Sequence, residues 1–552
     1  MRQSASFLGL ARTLDDVRST RSKNEKIRIL ASYLSGLHPE DAETAARVST
    51  GRSSERGSRD EAQVGYSTLL NVVSEMTGAK MEQVSKAYLK HGDLGEVAEE
   101  LLLRKREQTL FQEPLTLHDL EETFGRLRSA KGKGSAAHRE TLMRSLLLRA
   151  TPLEGKYIVK VLTGEMRTGL VAGLVEKAIS RAYSVPEEEV AKAHMVVGDI
   201  GLLAGAAVRG EILQLRMTPF RPVNFMLAEP MATPTEIAGH FGKEVYAEYK
   251  YDGVRAQVHK QGDAVRIYSR RLEDITASFP EVASSLTKAE GDFILDGEIV
   301  PFTRGHPLPF QLLQRRLRKT DGREAARRAP VTYFAFDILY RNGKETVSLT
   351  LTERRGELSA VIKGVGTLAH SEAVETATEI EAAFLRSRKY GYEGLVLKDP
   401  ASSYTMGKRG AGWVKLKEEL DTIDAVIVAA EYGHGKRAGV ISDYTFAVRD
   451  SGALKTIGKA YSGLTDAEII EMTGRMKELT IEDHGYWRKV RPEIVIEVAF
   501  DSIQRSSRHD SGYALRFPRI KRVRTDKSVA DADTIEKVMA VFSKQRLKVE
   551  EP

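Results

Sequence analysis

The feature that most constrains this chain is a change of hydrophobic period across a cluster of prolines. Only four of the 17 prolines precede residue 219, and then Pro219, Pro222, Pro230 and Pro234 fall within sixteen residues. Proline fixes φ and removes a backbone donor, so the cluster predicts a linker. Upstream, Tyr66 to Met76, Glu96 to Arg106 and Glu140 to Leu148 carry apolar residues at spacings of three and four, the period of an amphipathic helix. Residues 1–218 therefore read as all-helical. Downstream the period becomes two: Val254 to His259 alternates, Val265 to Tyr268 follows, and Gln261-Gly262-Asp263 between them predicts a hairpin turn. Phe293 to Leu295, Val331 to Leu339 and Gly394 to Leu397 predict more strands, and Glu372 to Arg388 a helix, giving an α/β domain over 219–417. In 418–552, strands at Ala425 to Ala430, Tyr444 to Val448, Leu454 to Ile457 and Ile494 to Phe500, with one helix from Asp466 to Leu479, predict a small β-barrel of the OB-fold kind.

Composition excludes several classes. There is no cysteine, hence no disulfide framework, Cys-ligated zinc, iron–sulfur cluster or thiol nucleophile. A length of 552 residues fits about three or four domains. The longest nearly uncharged apolar run, Ile200 to Val208, is far below the ~18 residues of a membrane span. The N-terminus lacks the apolar core of a signal peptide, which predicts a cytoplasmic protein. The net charge of +7 comes from 84 basic against 77 acidic residues. That surplus permits a polyanionic partner without demanding one, so the position of the charge matters more than its sum.

The most informative segment is Glu248-Tyr249-Lys250-Tyr251-Asp252-Gly253-Val254-Arg255. Alone it could be a lysine at a hairpin shoulder followed by an ordinary Asp-Gly turn. Further strings follow in order, each placed at a strand. They are Ser269-Arg270-Arg271, Leu295-Asp296-Gly297-Glu298, Tyr333-Phe334-Ala335-Phe336-Asp337, Glu393-Gly394-Leu395-Val396-Leu397-Lys398 and Trp413-Val414-Lys415-Leu416-Lys417. Near the C-terminus stands Arg516 to Lys527, with six basic residues and one acidic. A lysine attacks phosphorus only as the free amine, so its pKa must fall below the usual ~10.4, which neighbouring cations and desolvation can achieve. Arg255, Arg270, Lys415 and Lys417 are the available cations. They would also neutralise phosphate charge in a phosphoryl-transfer transition state. Glu298 and Glu393, each beside a glycine at a strand end, are the hard oxygen donors suited to Mg²⁺ or Mn²⁺.

This series resembles the motifs of the covalent nucleotidyltransferases, and in detail the ATP-dependent DNA ligases of the archaeal and bacterial three-domain type. The resemblance covers nearly the whole chain. It implies a helical DNA-binding domain, a nucleotidyltransferase (adenylation) domain and an OB-fold domain, with activity in DNA replication, repair and recombination. It further implies that Lys250 forms a phosphoramidate with AMP, that Glu248 helps recognise adenine, and that Phe336 stacks on the base. Arg255, Arg270 and Glu298 would contact ribose and phosphates, and Arg409, Lys415 and Lys417 the phosphates. Arg524, Asp526 and Lys527 would orient pyrophosphate in the first step. The barrel would then swing on a hinge between Lys417 and Thr422.

Basic stretches suggest where a polynucleotide would bind, since phosphate contacts supply affinity without reading sequence. Candidates are Arg126, Arg128, Lys131 and Lys133 in one glycine-bearing segment, Arg167 and Gly169 in Gly164 to Leu170, and Arg315 and Arg316. The expected partner is nicked duplex DNA, met by a monomer, and a sliding clamp is a further candidate partner. Three other readings share features with the sequence. An mRNA-capping guanylyltransferase uses the same lysine but does not account for the basic helical region. An NAD⁺-dependent ligase carries a Cys-ligated zinc element, which a chain without cysteine cannot build. A non-catalytic DNA-binding scaffold would have no need of Lys250, Arg270, Glu298 and Lys415 together.

Overall fold

The computed structural model describes residues 4–550 except 55–65, 106–112, 131–133, 304, 309, 311, 314–315, 317–328, 418–421, 434–436 and 438. It forms two compact units, Met1–Val84 with Leu94–Lys417, and Ser85–Asp93 with Glu418–Pro552. The expected hinge includes residues 418–421, which lie outside the described residues.

Upstream of residue 218 the described elements are helices, running from Phe7–Ser19 to Ile200–Arg209. The predicted segments Tyr66 to Met76 and Glu140 to Leu148 fall in Tyr66–Thr77 and Ser135–Arg149, whereas the one from Glu96 is helical only to Leu102, and its end at Arg106 lies outside the described residues. Helix starts follow local chemistry. Capping boxes pair Thr116 with Asp119, Thr151 with Glu154, Thr350 with Glu353, Thr376 with Glu379 and Thr465 with Glu468, each satisfying backbone N–H groups that have no partner within the helix. The box at Thr376 also corrects the expected helix from Glu372. That helix spans Ala377–Lys389, and Ser371–Val374 is a strand instead.

In chain order the strands of the first unit are β1 (Leu227–Met231), β2 (Val245–Tyr249), β3 (Val254–Gln261), β4 (Ala264–Ser269), β5 (Phe293–Thr303), β6 (His306–Pro307), β7 (Val331–Arg341), β8 (Lys344–Glu345), β9 (Thr367–Leu368), β10 (Ser371–Val374), β11 (Gly394–Lys398) and β12 (Arg409–Lys417). They make two sheets. One has the order β1-β12-β11-β2-β10, and the other β4-β3-β5-β7-β8 with β6 on β5 and β9 on β7. A core that includes Phe334, Phe336, Tyr404 and Trp413 lies between them. The outer faces are covered separately, by Ile380 and Ala383 against Val245, Leu395 and Leu416, and by Phe279, Leu286 and Leu358 against Val258 and Leu295.

The proline cluster is not a loose linker. Pro230 lies in the edge strand β1, where the missing N–H costs little, and Pro234 is the first residue of the helix Pro234–Phe241. Before them the chain is fastened to β3 and β4. The Phe220 N–H donates to His259 Nδ1 at 3.0 Å, the Val223 N–H to Gln257 Oε1 at 3.1 Å, and the Tyr268 hydroxyl to the Phe220 carbonyl at 3.0 Å. Burial and the nearby Arg266 push the His259 pKa down to about 3, which keeps Nδ1 an acceptor. Met195, Val196 and Met217 pack in the inter-sheet core, so residue 218 falls inside the first compact unit.

The strands of the second unit are β13 (Ile423–Tyr432), β14 (Ile441–Asp450), β15 (Ala453–Ala460), β16 (Thr480–Asp483), β17 (Trp487–Val490), β18 (Val495–Ala499), β19 (Ser502–Arg505), β20 (Tyr513–Arg516) and β21 (Arg519–Val523). β13 pairs β14 along one edge. On its other edge Ile423 to Val426 pair β18, and Ala429 to Glu431 pair β17. A strand shared in two halves, with register breaks at Ile427 and Glu431, lets a sheet close on itself. The helix Asp466–Glu478 matches expectation, whereas the C-terminal helix Ile535–Glu550 was not foreseen.

Candidate functional site

The backbone leaves one sheet and enters the other at Lys250. It ends β2 at Tyr249, crosses at Lys250 to Gly253, and begins β3 at Val254. The Lys250 N–H donates to the Gly394 carbonyl at 2.8 Å, and the Glu393 N–H to the Lys250 carbonyl at 3.0 Å. These two bonds place Lys250 and Glu393 side by side. Two glycines allow the close approach. A Cβ on Gly253 would lie 2.3 Å from the Ile299 carbonyl oxygen, and one on Gly394, whose φ is +148°, 2.2 Å from that of Leu416.

The side chains converge across this crossing. Lys250 Nζ is 2.5 Å from Glu393 Oε2, which also meets Lys417 Nζ at 3.0 Å. Glu298 faces Lys250 from β5, in register with Arg255 on β3. Burial, followed by the charges of Glu393 and Asp252, raises the Glu298 pKa to about 8, against the opposing pull of Lys250 and Arg255. Burial lowers the pKa of Lys415, and the charges of Lys417, Lys250, Arg409 and Arg270 add to that fall. The expected cations therefore share one field. Arg270 and Arg409 are exposed, while Lys415 and Lys417 are half-buried.

One expectation is corrected. Burial favours the free amine of Lys250, but Glu393, Glu298 and Asp252 outweigh it and raise the pKa above the ordinary lysine value. Arg255 is likewise not an open cation. Its Nε and Nη2 bond Asp296 at 3.1 and 2.7 Å, and its guanidinium lies over Phe225, Phe336 and Trp413. Asp296 is fully buried and also accepts from the Tyr404 hydroxyl at 2.7 Å.

Glu248 is buried two residues before the lysine, with one cation paired to each oxygen and a second lone pair left on each. Arg355 Nη1 lies 2.6 Å from Oε1, and Lys398 Nζ 2.5 Å from Oε2. Lys398 is itself buried over the rings of Trp413 and Phe336, at 4.1 and 4.5 Å. Phe336 packs edge-on to Trp413, and its neighbour Asp337 is locked by Arg354 in a fully buried pair. Sequence reasoning did not assign roles to Asp296, Arg355, Lys398 and Tyr404. Asp296 and Lys398 stood inside the motif strings, whereas Arg355 and Tyr404 carried no local signal.

The basic segments separate into outward and inward residues. Arg126 is exposed, paired along its helix with Glu122 at 2.8 Å. Arg128 is half-buried and donates to the Ser53 carbonyl at 2.7 Å. Arg167 and Gly169 flank the buried Thr168 with φ of +50° and +73°. Buried Lys26 holds that segment by donating to the Thr168 and Val17 carbonyls, both at 2.6 Å. Arg316 corrects expectation, being 1% exposed and committed to Glu281 and to the carbonyls of Ser278 and Ala329. A guanidinium so enclosed has no donors left to offer a phosphate. Lys131, Lys133 and Arg315 lie outside the described residues.

In the second unit Arg524 bonds Asp526 through Nε and Nη2 at 2.8 and 2.7 Å, and Asp424 through Nη1 at 3.0 Å. Lys527 Nζ also bonds Asp424, at 2.6 Å.

Three family models match in the order of these elements: DNA ligase N terminus over residues 6–180, ATP dependent DNA ligase domain over 225–417, and ATP dependent DNA ligase C terminal region over 437–527. A probable DNA ligase of Koribacter versatilis is 40% identical over 97% of this chain and 96% of its own length. A DNA ligase of Methanothermobacter thermautotrophicus is 35% identical over 97% of this chain and 98% of its own. In fold, the chain is similar to the solved structure named Pmar-Lig_PreS3, with a TM-score of 0.58, 18% identity, and coverage of 93% of this chain and 99% of that one. With a helical N-terminal region, a two-sheet nucleotidyltransferase core and an OB-type C-terminal domain in that order, this chain belongs to the ATP-dependent DNA ligases.

Proposed function

We propose that Lys250 is the adenylated nucleophile of this ATP-dependent DNA ligase and that the side chains around the sheet crossing divide the work of nick sealing. The observation that carries the reading is the position of Lys250 Nζ, 2.5 Å from Glu393 Oε2 and within the field of Glu298. In the first step Nζ attacks the α-phosphorus of ATP, the P–N bond forms, the bond to pyrophosphate breaks, and Nζ loses a proton. In the second, a 5′-phosphate oxygen of the nick attacks the phosphoramidate phosphorus, and AMP passes to DNA as the lysine regains its proton. In the third, the 3′-hydroxyl attacks the 5′-phosphorus, a phosphodiester forms and AMP leaves.

The residue roles are those the family resemblance implies, read onto this geometry. Glu248, fixed by Arg355 and Lys398, offers an acceptor to the adenine amino group, and Phe336 gives the base a ring face. Arg255 and Arg270 serve the ribose and phosphates, with Arg255 held by Asp296. Arg409, Lys415 and Lys417 neutralise the phosphates. Glu298 and Glu393 suit Mg²⁺ or Mn²⁺, because they are hard carboxylates that act on each other's charge beside Lys250, in a site where burial above all raises the Glu298 pKa to about 8. Two carboxylates would suit an ion that keeps several waters and binds substrate phosphate. A bound divalent cation would neutralise these carboxylates and polarise the phosphates. With Glu298 and Glu393 so neutralised, burial and the cations Lys415 and Lys417 favour the free amine of Lys250, opposed by the remaining charge of Asp252.

Residues 1–218, 219–417 and 418–552 are taken as the DNA-binding, adenylation and OB-fold domains. Arg126, Arg128, Arg167 and Gly169 are assigned to duplex contacts, with Arg524, Asp526 and Lys527 at the pyrophosphate. No described helix is long and apolar enough to cross a membrane. A monomer acting on nicked DNA in the cytoplasm, with a sliding clamp as a candidate partner in replication or repair, completes the reading. The test is to incubate the protein with ATP, GTP or NAD⁺ labelled in the transferred nucleotidyl group and measure label retained after denaturation. Retention from ATP, lost in Lys250→Ala, is expected. An adduct that survives Lys250→Ala would overturn the nucleophile assignment, and label from GTP alone would favour capping chemistry.

A further inference from the structure

The two basic residues of the Arg524 to Lys527 element are tied to a carboxylate a hundred residues earlier. Asp424 is the second residue of β13. Its Oδ1 meets Arg524 Nη1 at 3.0 Å, and its Oδ2 meets the same nitrogen at 3.1 Å and Lys527 Nζ at 2.6 Å. Sheet register explains the meeting. Asp424 on β13 stands opposite Glu497 on β18, and Glu497 opposite Arg522 on β21, so the three strands deliver Arg524 to Asp424 just beyond the end of β21. The backbone of Asp424 is fixed as well. Its N–H donates to Asp533 Oδ2, and its carbonyl accepts from the Asp533 N–H, both at 2.8 Å.

The exposures divide the labour. The Arg524 side chain is 12% exposed and Asp424 11%, whereas Lys527 is 29% exposed and Asp526 59%. Arg524 spends Nε and Nη2 on Asp526 and Nη1 on Asp424, leaving little of its fork for a ligand. An ammonium has three donors, and Asp424 occupies one of those of Lys527. We propose that Asp424 is a positioning residue for adenylation: it sets the Lys527 ammonium, through a charge-assisted bond shared with Arg524, in the orientation that meets the leaving pyrophosphate. Arg524 then serves the pyrophosphate-orienting element as its brace, and Lys527 makes the contact it sets up. Without Asp424 two neighbouring cations lose the anion between them and separate. This inference rests on the proposed role of Lys527 in the first step.

The test uses the full-length protein with Asp424→Asn, Lys527→Ala and the double variant. Covalent adenylation is followed across ATP concentrations, and single-turnover sealing is measured on a pre-adenylated nick. In Asp424→Asn the maximal adenylation rate is expected to fall roughly tenfold, the scale of a lost positioning contact, while sealing stays within about twofold and reports a folded protein. Adding Asp424→Asn to Lys527→Ala should then cost nothing more, because the two act as one unit. Faster adenylation in Asp424→Asn, equal loss in both assays, or multiplying losses in the double variant would each overturn the inference. Normal adenylation by Lys527→Ala would instead overturn the role of the element on which it rests.

Discussion

Glu393 Oε2 lies 2.5 Å from Lys250 Nζ, so the proposed nucleophile is held as an ammonium in the free protein by the carboxylate beside it. The raised lysine pKa fixes the sign of a pH dependence. Adenylation by the wild type should climb with pH through the alkaline range as the ammonium loses its proton. In Glu393→Gln the climb should begin at lower pH, because the charge that raised the pKa is gone. The maximal rate should nonetheless fall about 100-fold, the scale of a lost electrostatic contact in a phosphoryl-transfer site. Rates of covalent AMP capture at fixed ionic strength measure both. A limb that stays in place would separate Glu393 from the lysine titration.

Glu298 makes a stability prediction of the opposite kind. Its pKa rises from 4.5 to about 8 on folding, so the folded state holds a proton there that the unfolded state has lost between those values. Stability is fully present below pH 4.5 and is lost as pH rises through 8. Replacing the carboxylate by a neutral amide removes this penalty. Glu298→Gln should raise the melting temperature at pH 9 relative to wild type, and the gap should close toward pH 5, even as adenylation is lost.

Arg316 and Arg126 should separate structure from binding. Arg316→Ala leaves Glu281 and two carbonyls without their buried partner, and about 3 kcal/mol of stability should go with it. The salt dependence of DNA affinity should not change. Arg126→Ala should leave thermal unfolding as it was. If Arg126 touches phosphate, its loss lowers the slope of log affinity against log salt by about one. Denaturant titrations and binding isotherms at several salt concentrations distinguish the two residues.

Lys26 should matter to DNA without meeting it. Its ammonium holds the Thr168 carbonyl between two positive-φ residues. Lys26→Met removes two charge-assisted bonds and should cost about 2 kcal/mol of stability. Affinity for nicked duplex should weaken severalfold with no change of salt slope, since no phosphate contact is lost. A reduced slope would place Lys26 itself at the DNA.

What could be read in advance follows the range of the interactions. The hairpin at Val254 to Tyr268, the long strand from Val331, and the motif residues Lys250, Glu298, Glu393, Lys415 and Lys417 are local signals, carried by alternation or by strings of a few residues. Asp424, Arg355 and Tyr404 meet Arg524, Glu248 and Asp296 across separations of 100, 107 and 108 residues, and only folded registers reveal such pairs. Arg316 was misplaced for a related reason, because a run of basic residues does not tell which guanidinium turns inward. The strand Ser371–Val374 was absorbed into a helix because the helix start is marked by the Thr376 N-cap rather than by any break in apolar spacing.

The crossing of the chain at Lys250 has a mechanical consequence. Of the charged groups around it, Lys415 and Lys417 lie on one sheet, with Glu393 just ahead of β11, and Arg255 and Glu298 lie on its neighbour, with Arg270 just past the end of β4. A nucleotide seated among them is a rivet through two plates that otherwise touch mainly through an apolar seam. A tethered AMP remains on the unfolded chain, so it stabilises only through the contacts it makes in the folded state, at an effective concentration set by the tether. With Lys250 as the proposed site, the AMP-charged protein is expected to be the more heat-resistant form and the discharged protein the easier to melt, a difference that a thermal scan of charged and discharged samples measures.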